Sequence, residues 1–190
     1  MFLNPFRRSG EDPFALLVGM TGVKLGDRIV QIGCAHGGRL AAVAAKVGLS
    51  GRAVAVAPDE ASAARAEKGA RDAGVLIEIE RAPTTAIPSD ADAFDMALVD
   101  DTGGLFGSMR AEDRVLTVRE ILRVLRPGGR VMVIGAAPRG GLGALVTRAQ
   151  SGPPFDATPS LAAEGFRAVR KLAEREGLVF VEGLKARSAG

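Results

Sequence analysis

The stretch Asp27-Arg-Ile-Val-Gln-Ile-Gly-Cys-Ala-His-Gly-Gly38 decides the fold that we predict for this chain. Its first half is a short apolar run typical of a buried strand. Its second half is a glycine-rich turn that leads into an alanine-rich helix, residues 38–47. The glycines allow a sharp turn and the close approach of a ligand, while the first N–H groups of the helix stay unpaired. The stretch therefore predicts a strand, a ligand-binding loop at Gly33, Gly37 and Gly38, and a helix.

Apolar strands and helices alternate along the rest of the chain. The predicted strands are residues 53–56, 75–80, 95–100, 130–135 and 178–183, and the predicted helices are residues 60–73, a short piece at 89–93, residues 112–125 and a charged helix at about 161–176. Nearly all-apolar strands between helices are typical of a parallel sheet that is covered on both faces. We therefore predict an α/β fold with a Rossmann-like, doubly wound, mostly parallel sheet in a three-layer α/β/α sandwich.

Length and composition indicate one domain. A chain of 190 residues with 47% apolar residues buries one sizeable core. We assign residues 1–24 to an N-terminal helical or lid segment and residues 25–190 to the main domain. Glu11 and Asp12 interrupt the apolar N-terminal pattern, and the run that follows is shorter than the ~20 residues that span a bilayer. We expect this segment to pack over the sheet, and contact with a membrane surface is the less favoured alternative.

Charge and cysteine usage limit the classes of partner and the cellular compartment that we expect for this protein. The 25 basic residues are scattered among 22 acidic ones, and no basic stripe with interleaved aromatic residues occurs, so we expect no nucleic-acid partner. The single cysteine, Cys34, forms no internal disulfide, which fits a cytoplasmic protein. Cys34 and His36 flank Ala35 and suggest a nucleophile and a base. Adjacent residues of a tight turn point apart, however, so we favour a structural role for both.

Three stretches carry a resemblance to a known family. They are residues 29–37 (a hydrophobic strand and glycine turn), Phe94-Asp95 at the start of a strand, and residues 119–134 (a helix, an Arg-Pro-Gly-Gly turn and a strand). In this order and spacing they resemble the class I S-adenosylmethionine (SAM) dependent methyltransferases of the small, single-domain type. The resemblance covers roughly residues 25–184. It implies SAM as the cofactor and a small molecule as the methyl acceptor.

The resemblance also implies the cofactor contacts of the glycine loop. Gly33, Ala35 and Gly37 stand at its glycine positions, and Ala35 replaces the middle glycine. Gln31 stands where the family carries an acid that organises the methionine amino group.

Two further acids of the family are replaced in this chain. Ala57 stands at the acid that accepts from the ribose hydroxyls, and Pro83 stands at the aspartate that accepts from the adenine amino group. Asp59 is the remaining candidate for the ribose, although a cap of the helix from residue 60 explains it better. A buried donor without an acceptor costs ~1–3 kcal/mol, so we expect SAM to bind roughly 10²–10⁴-fold more weakly than in the family, or not at all.

Asp100 and Asp101 are the candidate catalytic residues. They follow the fourth strand, next to the point where doubly wound sheets bind ligands. Each is either a general base for the acceptor or a cap of the following loop. Related metal-dependent enzymes carry oxygen ligands after strand five, where this chain has Ala136-Ala137-Pro138, so we predict no metal site.

Two functions from different classes stay open. The first is methyl transfer to a small-molecule acceptor, and the second is a non-catalytic pseudo-methyltransferase that serves as a binding or assembly module. An NAD oxidoreductase comes third, because the glycine fingerprint is imperfect and Ala57 again lacks an acid. Residues 139–143 and 151–160 form either a flexible cover over the acceptor or a disordered loop. The sequence does not clearly show the family's seventh strand, and its presence stays open; a missing edge strand would leave a sheet edge for a partner or a homo-oligomer.

Overall fold

The fold is built on one mixed sheet. The structure, a computed structural model, describes residues 12–137 and 155–187. The strands are β1 (Arg28–Ile32), β2 (Arg52–Ala57), β3 (Glu78–Arg81), β4 (Phe94–Asp101), β5 (Leu125–Ala136), β6 (Arg167–Arg175) and β7 (Leu178–Leu184). The helices are α1 (Ala15–Thr21), α2 (Gly37–Val47), α3 (Glu60–Ala73), α4 (Leu105–Ser108), α5 (Ala111–Val124) and α6 (Thr158–Ala163).

The strand order is β3-β2-β1-β4-β5-β7-β6, and the described part of the sheet has seven strands. The first five pair in parallel, while β7 runs antiparallel to both β5 and β6. Helices α1 and α2 pack on one face of the sheet, and α4, α5 and α6 pack on the other. The predicted three-layer, doubly wound fold is confirmed.

The central strand β4 positions the two candidate catalytic aspartates. Successive side chains of a strand point to opposite faces, and β4 is buried on both. Leu98 packs in the cluster under α1 and α2, and Val99 packs in the cluster under α5. The same alternation directs Asp100 toward α2 and Asp101 toward α4.

The predicted helix at residues 161–176 is wrong in most of its length. The structure ends α6 at Ala163 and places β6 over Arg167–Arg175. Val169, Leu172 and Ala173 have helical spacing, but two register shifts in the pairing of β6 with β7 break the alternation that a regular strand would show. Positive φ angles at Glu176 (53°) and Gly177 (74°) then close the hairpin to β7.

The seventh strand, which the sequence left open, is present. Strand β7 fills the place beside β5, and β6 covers its other side. The sheet therefore ends at β3 and β6, and most side chains of β6 are exposed and charged. Charged side chains on an edge strand oppose pairing with another chain, so the argument for a homo-oligomer through an open edge loses its basis.

No helix forms at residues 89–93, where a short one was predicted. Residues 82–93 are a loop, because Pro83 and Pro88 restrict the backbone and α5 supplies the hydrogen bonds. Arg123 donates to the carbonyl oxygens of Ile87 (2.9 Å) and Ser89 (2.8 Å).

Among residues 12–137 and 155–187, none of the helices has both the length and the hydropathy needed to cross a bilayer.

Candidate functional site

The glycine loop lies where β1 ends, between β2 and β4. Gly33 has a φ of +70°, a conformation that side chains rarely adopt, and its N–H donates to the carbonyl oxygen of Val56 (2.9 Å). Gln31 is buried, and its Nε2 donates to the carbonyl oxygen of Gly33 (3.0 Å). Gln31 therefore braces the turn from inside, at the position where the resemblance implies an acid.

Asp100 holds the rest of the loop in place. Its Oδ2 accepts from the backbone N–H groups of Ala35 (3.0 Å) and His36 (3.1 Å). Its Oδ1 accepts from the hydroxyl of Thr102 (2.6 Å) and lies 3.4 Å from Nη1 of Arg39. The carboxylate is only 3% exposed, so these donors replace its hydration. Asp100 therefore joins β4, the glycine loop and the first turn of α2.

Arg39 is the site residue that the sequence analysis missed. Its Nη1 donates to the Thr102 hydroxyl (2.5 Å) as well as facing Asp100. A cation in the first turn of a helix is unfavourable toward the helix dipole, so its presence there indicates an acidic partner close by. That signal is in the sequence, but it does not say which acid is the partner.

Asp101 lies on the other side of β4, away from the glycine loop. Its Oδ1 accepts from the N–H of Phe106 (2.6 Å) in α4. Burial raises the pKa of its carboxyl to about 6, although the hydrogen bond from Phe106 opposes the shift. The structure therefore does not bring the two predicted catalytic aspartates together, and it gives both of them backbone N–H groups to cap.

Gly37 is required by the packing of two helices. A Cβ at Gly37 would lie 1.9 Å from the carbonyl oxygen of Arg65, and a Cβ at Gly69 would lie 2.3 Å from the carbonyl oxygen of Gly37. Helices α2 and α3 thus cross with their backbones in contact at this pair. Close packing explains Gly37 without any ligand.

The end of β2 carries Ala57 and Asp59. Ala57 is 2% exposed, while Asp59 is exposed and its Oδ1 caps α3 by accepting from the N–H of Ser62 (2.7 Å). The capping role favoured for Asp59 is confirmed. Arg65 reaches from α3 to the glycine loop, where its Nε donates to the carbonyl oxygen of Cys34 (2.5 Å). A cation therefore lies beside the loop, on the side of α3.

Cys34 and His36 point in different directions. Cys34 is buried with Leu40 and Ala66, and burial raises the pKa of its thiol to about 11. His36 is exposed, and the edge of its ring meets the ring of Phe14 at a centroid distance of 5.6 Å. A thiol with so high a pKa is a poor nucleophile, so the structural role predicted for Cys34 holds.

A cleft of about 530 Å³ opens beside this loop, at the edge of the sheet where β4 and β5 end. Its walls come from α1, the first turn of α2, the end of β5 and the β6–β7 turn, and we call it the α1 cleft. The lining residues are Pro13, Phe14, Leu17, Arg39, Ala136, Ala137, Glu176, Gly177 and Leu178. The predicted cover at residues 139–143 lies outside the described residues, as do residues 151–154 of the second predicted segment.

Comparison with known proteins identifies the family. A family model described as a methyltransferase domain matches residues 29–129, which is more than half of the chain and includes the glycine loop and β4. The chain belongs to this methyltransferase family. Its sequence and fold are those of the class I SAM-dependent methyltransferases, as the resemblance implied, and the family's cofactor is SAM.

Relatives and solved structures agree with this assignment. The chain is 28% identical over 116 residues to the ubiquinone/menaquinone biosynthesis C-methyltransferase UbiE of Idiomarina loihiensis, covering 60% of this chain and 44% of that protein. It is 25% identical over 150 residues to the methyltransferase GfsG of Streptomyces halstedii, covering 79% and 52%. The chain thus spans about half the length of these curated relatives. A SAM-dependent methyltransferase from Aquifex aeolicus shares the fold at a TM-score of 0.70 and 18% identity, covering 90% of this chain and 88% of that one.

The residues present fit SAM in shape, with fewer charged acceptors than the family uses. Gly33 keeps the positive φ of the turn, and a Cβ there would meet only the flexible end of Leu105, at 2.8 Å. Gln31 and Asp59 remain as polar groups near the ends of β1 and β2. Within the described ranges, no three His, Cys, Asp or Glu side chains are grouped so that they could hold a metal ion.

Proposed function

We propose that this protein transfers a methyl group from SAM to a small-molecule acceptor. The observation that carries the proposal is the glycine loop at the end of β1, inside the region that the methyltransferase family model matches. A relative named for ubiquinone and menaquinone biosynthesis supports a small molecule as the acceptor. SAM, when bound, supplies an electrophilic methyl group, and the protein's contribution is largely to position the reactants.

The proposal gives each site residue a role. Gly33 and Ala35 hold the methionine end of SAM, while Gln31 braces this loop from inside and Gly37 sets the contact of α2 with α3. Asp59 accepts from a ribose hydroxyl with the oxygen that does not cap α3. The N–H groups of Ala35 and His36 already donate to Asp100, so they contribute to the shape of the loop and not to hydrogen bonds with the cofactor.

Asp100 acts in this proposal as a positioning residue. Its carboxylate is fully engaged and faces Arg39, so it holds the loop and the first turn of α2 in their places. Asp101 stays the candidate for a catalytic acid or base only if α4 moves, because its carboxyl faces Phe106.

The same proposal places the protein in the cytoplasm and without a nucleic-acid partner. A single, buried cysteine and a scattered positive charge support both statements.

Calorimetric titration with SAM and with S-adenosylhomocysteine tests the proposal. We expect both to bind, with dissociation constants weaker than about 10 µM, because Ala57 and Pro83 provide no side-chain acceptor. Substitution Ala57→Asp should restore a carboxylate at the end of β2 and raise the affinity at least about tenfold. Aspartate is the suitable choice because Ala57 is 2% exposed, which leaves little room for a longer side chain.

Asp59→Asn is the matched variant for the remaining acid, and it should weaken SAM while it keeps an oxygen to cap α3. Transfer of labelled methyl groups to a set of small molecules then tests catalysis itself. No binding of SAM by the wild type or by a folded Ala57→Asp variant would favour the alternative, a non-catalytic binding module.

A further inference from the structure

The α1 cleft has the size and lining of a small-molecule site. Its volume of about 530 Å³ lies within the range of roughly 300–1,000 Å³ that is usual for such sites. Its apolar side chains come from Phe14 and Leu17 at and in α1, Ala136 of β5 and Leu178 of β7, and polar groups share the wall with them. The side chain of Ala136 points to the same face of the sheet as Ile134, toward α1 and α2.

One cation in this wall is held in a fixed orientation. The side chain of Arg39 is 21% exposed, and its Nη1 is fixed by Thr102 and Asp100. In the part of the chain that the structure describes, the side-chain hydrogen bonds of Arg39 all come from Nη1. Its Nε and Nη2 therefore remain to bind a ligand, and a guanidinium that is already oriented loses little entropy when it binds a planar anion.

The other charged residue of the lining is Glu176, in the β6–β7 turn. It is exposed, so solvent screens its charge, whereas the side chain of Arg39 is largely buried. A carboxylate on the ligand is attracted by Arg39 and weakly repelled by Glu176. The balance favours an anion near α2 with its apolar body toward α1.

We propose that the α1 cleft binds a small molecule with an apolar, ring-sized body and one carboxylate, and that Arg39 recognises the carboxylate. The inference rests on the proposed function, because it names the class of the methyl acceptor. The hydrophobic body packs on Phe14, Leu17 and Leu178, and the carboxylate accepts hydrogen bonds from Nε and Nη2 of Arg39.

Binding of benzoate, followed through the backbone amide resonances of Gly177 and Leu178, tests the proposal in the full chain. Benzamide has the same shape without the charge. Its affinity should be lower than that of benzoate by at least about tenfold. Glu176→Gln removes the opposing carboxylate and should tighten benzoate severalfold. Arg71→Gln removes an exposed arginine of α3 away from the cleft and should change nothing.

Two further variants separate recognition from stability. Arg39→Gln should abolish the preference for benzoate over benzamide, but it also removes a partner of Asp100, so its folding is checked by thermal unfolding. Ala136→Phe places a bulky side chain in the cleft while it retains Arg39 and Asp100, and it should abolish binding of both compounds. Equal binding of benzoate and benzamide by the wild type, or unchanged binding in folded Ala136→Phe, would overturn the inference. These titrations contain no SAM, so a failed methyl-transfer assay does not affect them.

Discussion

At the scale of single residues, Asp100 shows how a buried carboxylate becomes a structural element. It is 3% exposed, yet backbone N–H groups, a hydroxyl and a guanidinium surround it. Hydrogen bonds to a charged group contribute ~1.5–3 kcal/mol each when their loss would leave the charge buried and unpaired. Asp100 therefore stabilises the conformation of the loop that the family uses for its cofactor.

The thiol of Cys34 should be almost inert in the folded protein. Burial raises its pKa to about 11, so the thiolate fraction near pH 8 is small, and the side chain lies inside the cluster with Leu40 and Ala66. We expect the reaction with Ellman's reagent at pH 8 to be at least about 100-fold slower in the native protein than in denaturant. Rapid labelling of the native state would show that the loop opens or that the thiol has a reactive environment.

Sequence reasoning located this site better than it explained it. The glycine turn and the aspartates were found because each directly follows an apolar strand. A residue's place after a strand is a local property of the sequence. The pairing of Arg39 with Asp100 joins residues that are 61 positions apart, so no local pattern shows it. The opposite directions of Asp100 and Asp101 follow from strand alternation and were within reach of the sequence.

At the scale of secondary-structure elements, the contact between α2 and α3 depends on two glycines. Gly37 and Gly69 let the two backbones touch, because a Cβ on either would overlap a carbonyl group of the other helix. Helical propensity alone favours alanine over glycine by about 1 kcal/mol, so the packing has to outweigh that preference.

Gly69→Ala should therefore lower the free energy of unfolding by about 1–3 kcal/mol, in spite of the better propensity of alanine. Gly19→Ala is the matched control: Gly19 lies in α1, its φ is negative, and a Cβ there would meet no atom of residues 12–137 or 155–187 within 4 Å. This control should raise the stability by about 0.5–1 kcal/mol. Urea unfolding measures both, and two changes of the same sign would show that the glycine contact is not a tight one.

The elements that the sequence predicted correctly are those with regular patterns. Strands β1, β2, β4 and β5 are apolar runs, and α3 is bounded by Asp59 and Gly74, which cap it. Strand β6 was mistaken for a helix because its irregular pairing with β7 places the neighbouring residues Leu172 and Ala173 against the same core cluster, which a regular strand does not do. Register shifts are set by the partner strand, so a single segment does not reveal them.

At the scale of the whole molecule, the sheet brings the candidate functional groups together at the carboxyl ends of its parallel strands. The parallel strands β1, β2, β4 and β5 end there, and the β6–β7 turn meets them because β7 is antiparallel. The glycine loop, the Asp100 cluster and the α1 cleft are therefore neighbours although they come from distant parts of the chain. The strand order predicts this end of the sheet as the ligand site of a doubly wound sheet, whereas the occupant of the cleft depends on side chains that the order does not fix.

Asp101 should make the stability of the whole protein depend on pH. Its carboxyl has a pKa of about 6 in the folded state against an ordinary value of 3.8, so the folded state binds more protons than the unfolded state between about pH 4 and 6. The contribution to stability is thus present at low pH and is lost as the pH rises through 6.

Asp101→Asn keeps an oxygen to accept from the N–H of Phe106 and cannot ionise. We expect the variant to match the wild type near pH 4 and to be more stable at pH 7.5, by on the order of 2 kcal/mol. Urea unfolding of both proteins between pH 4 and 7.5 measures the difference in their free energies of unfolding. The contributions of the other carboxylates are common to both proteins and cancel in this difference. A difference that is constant with pH would show that the pKa of Asp101 is the same in the folded and the unfolded protein.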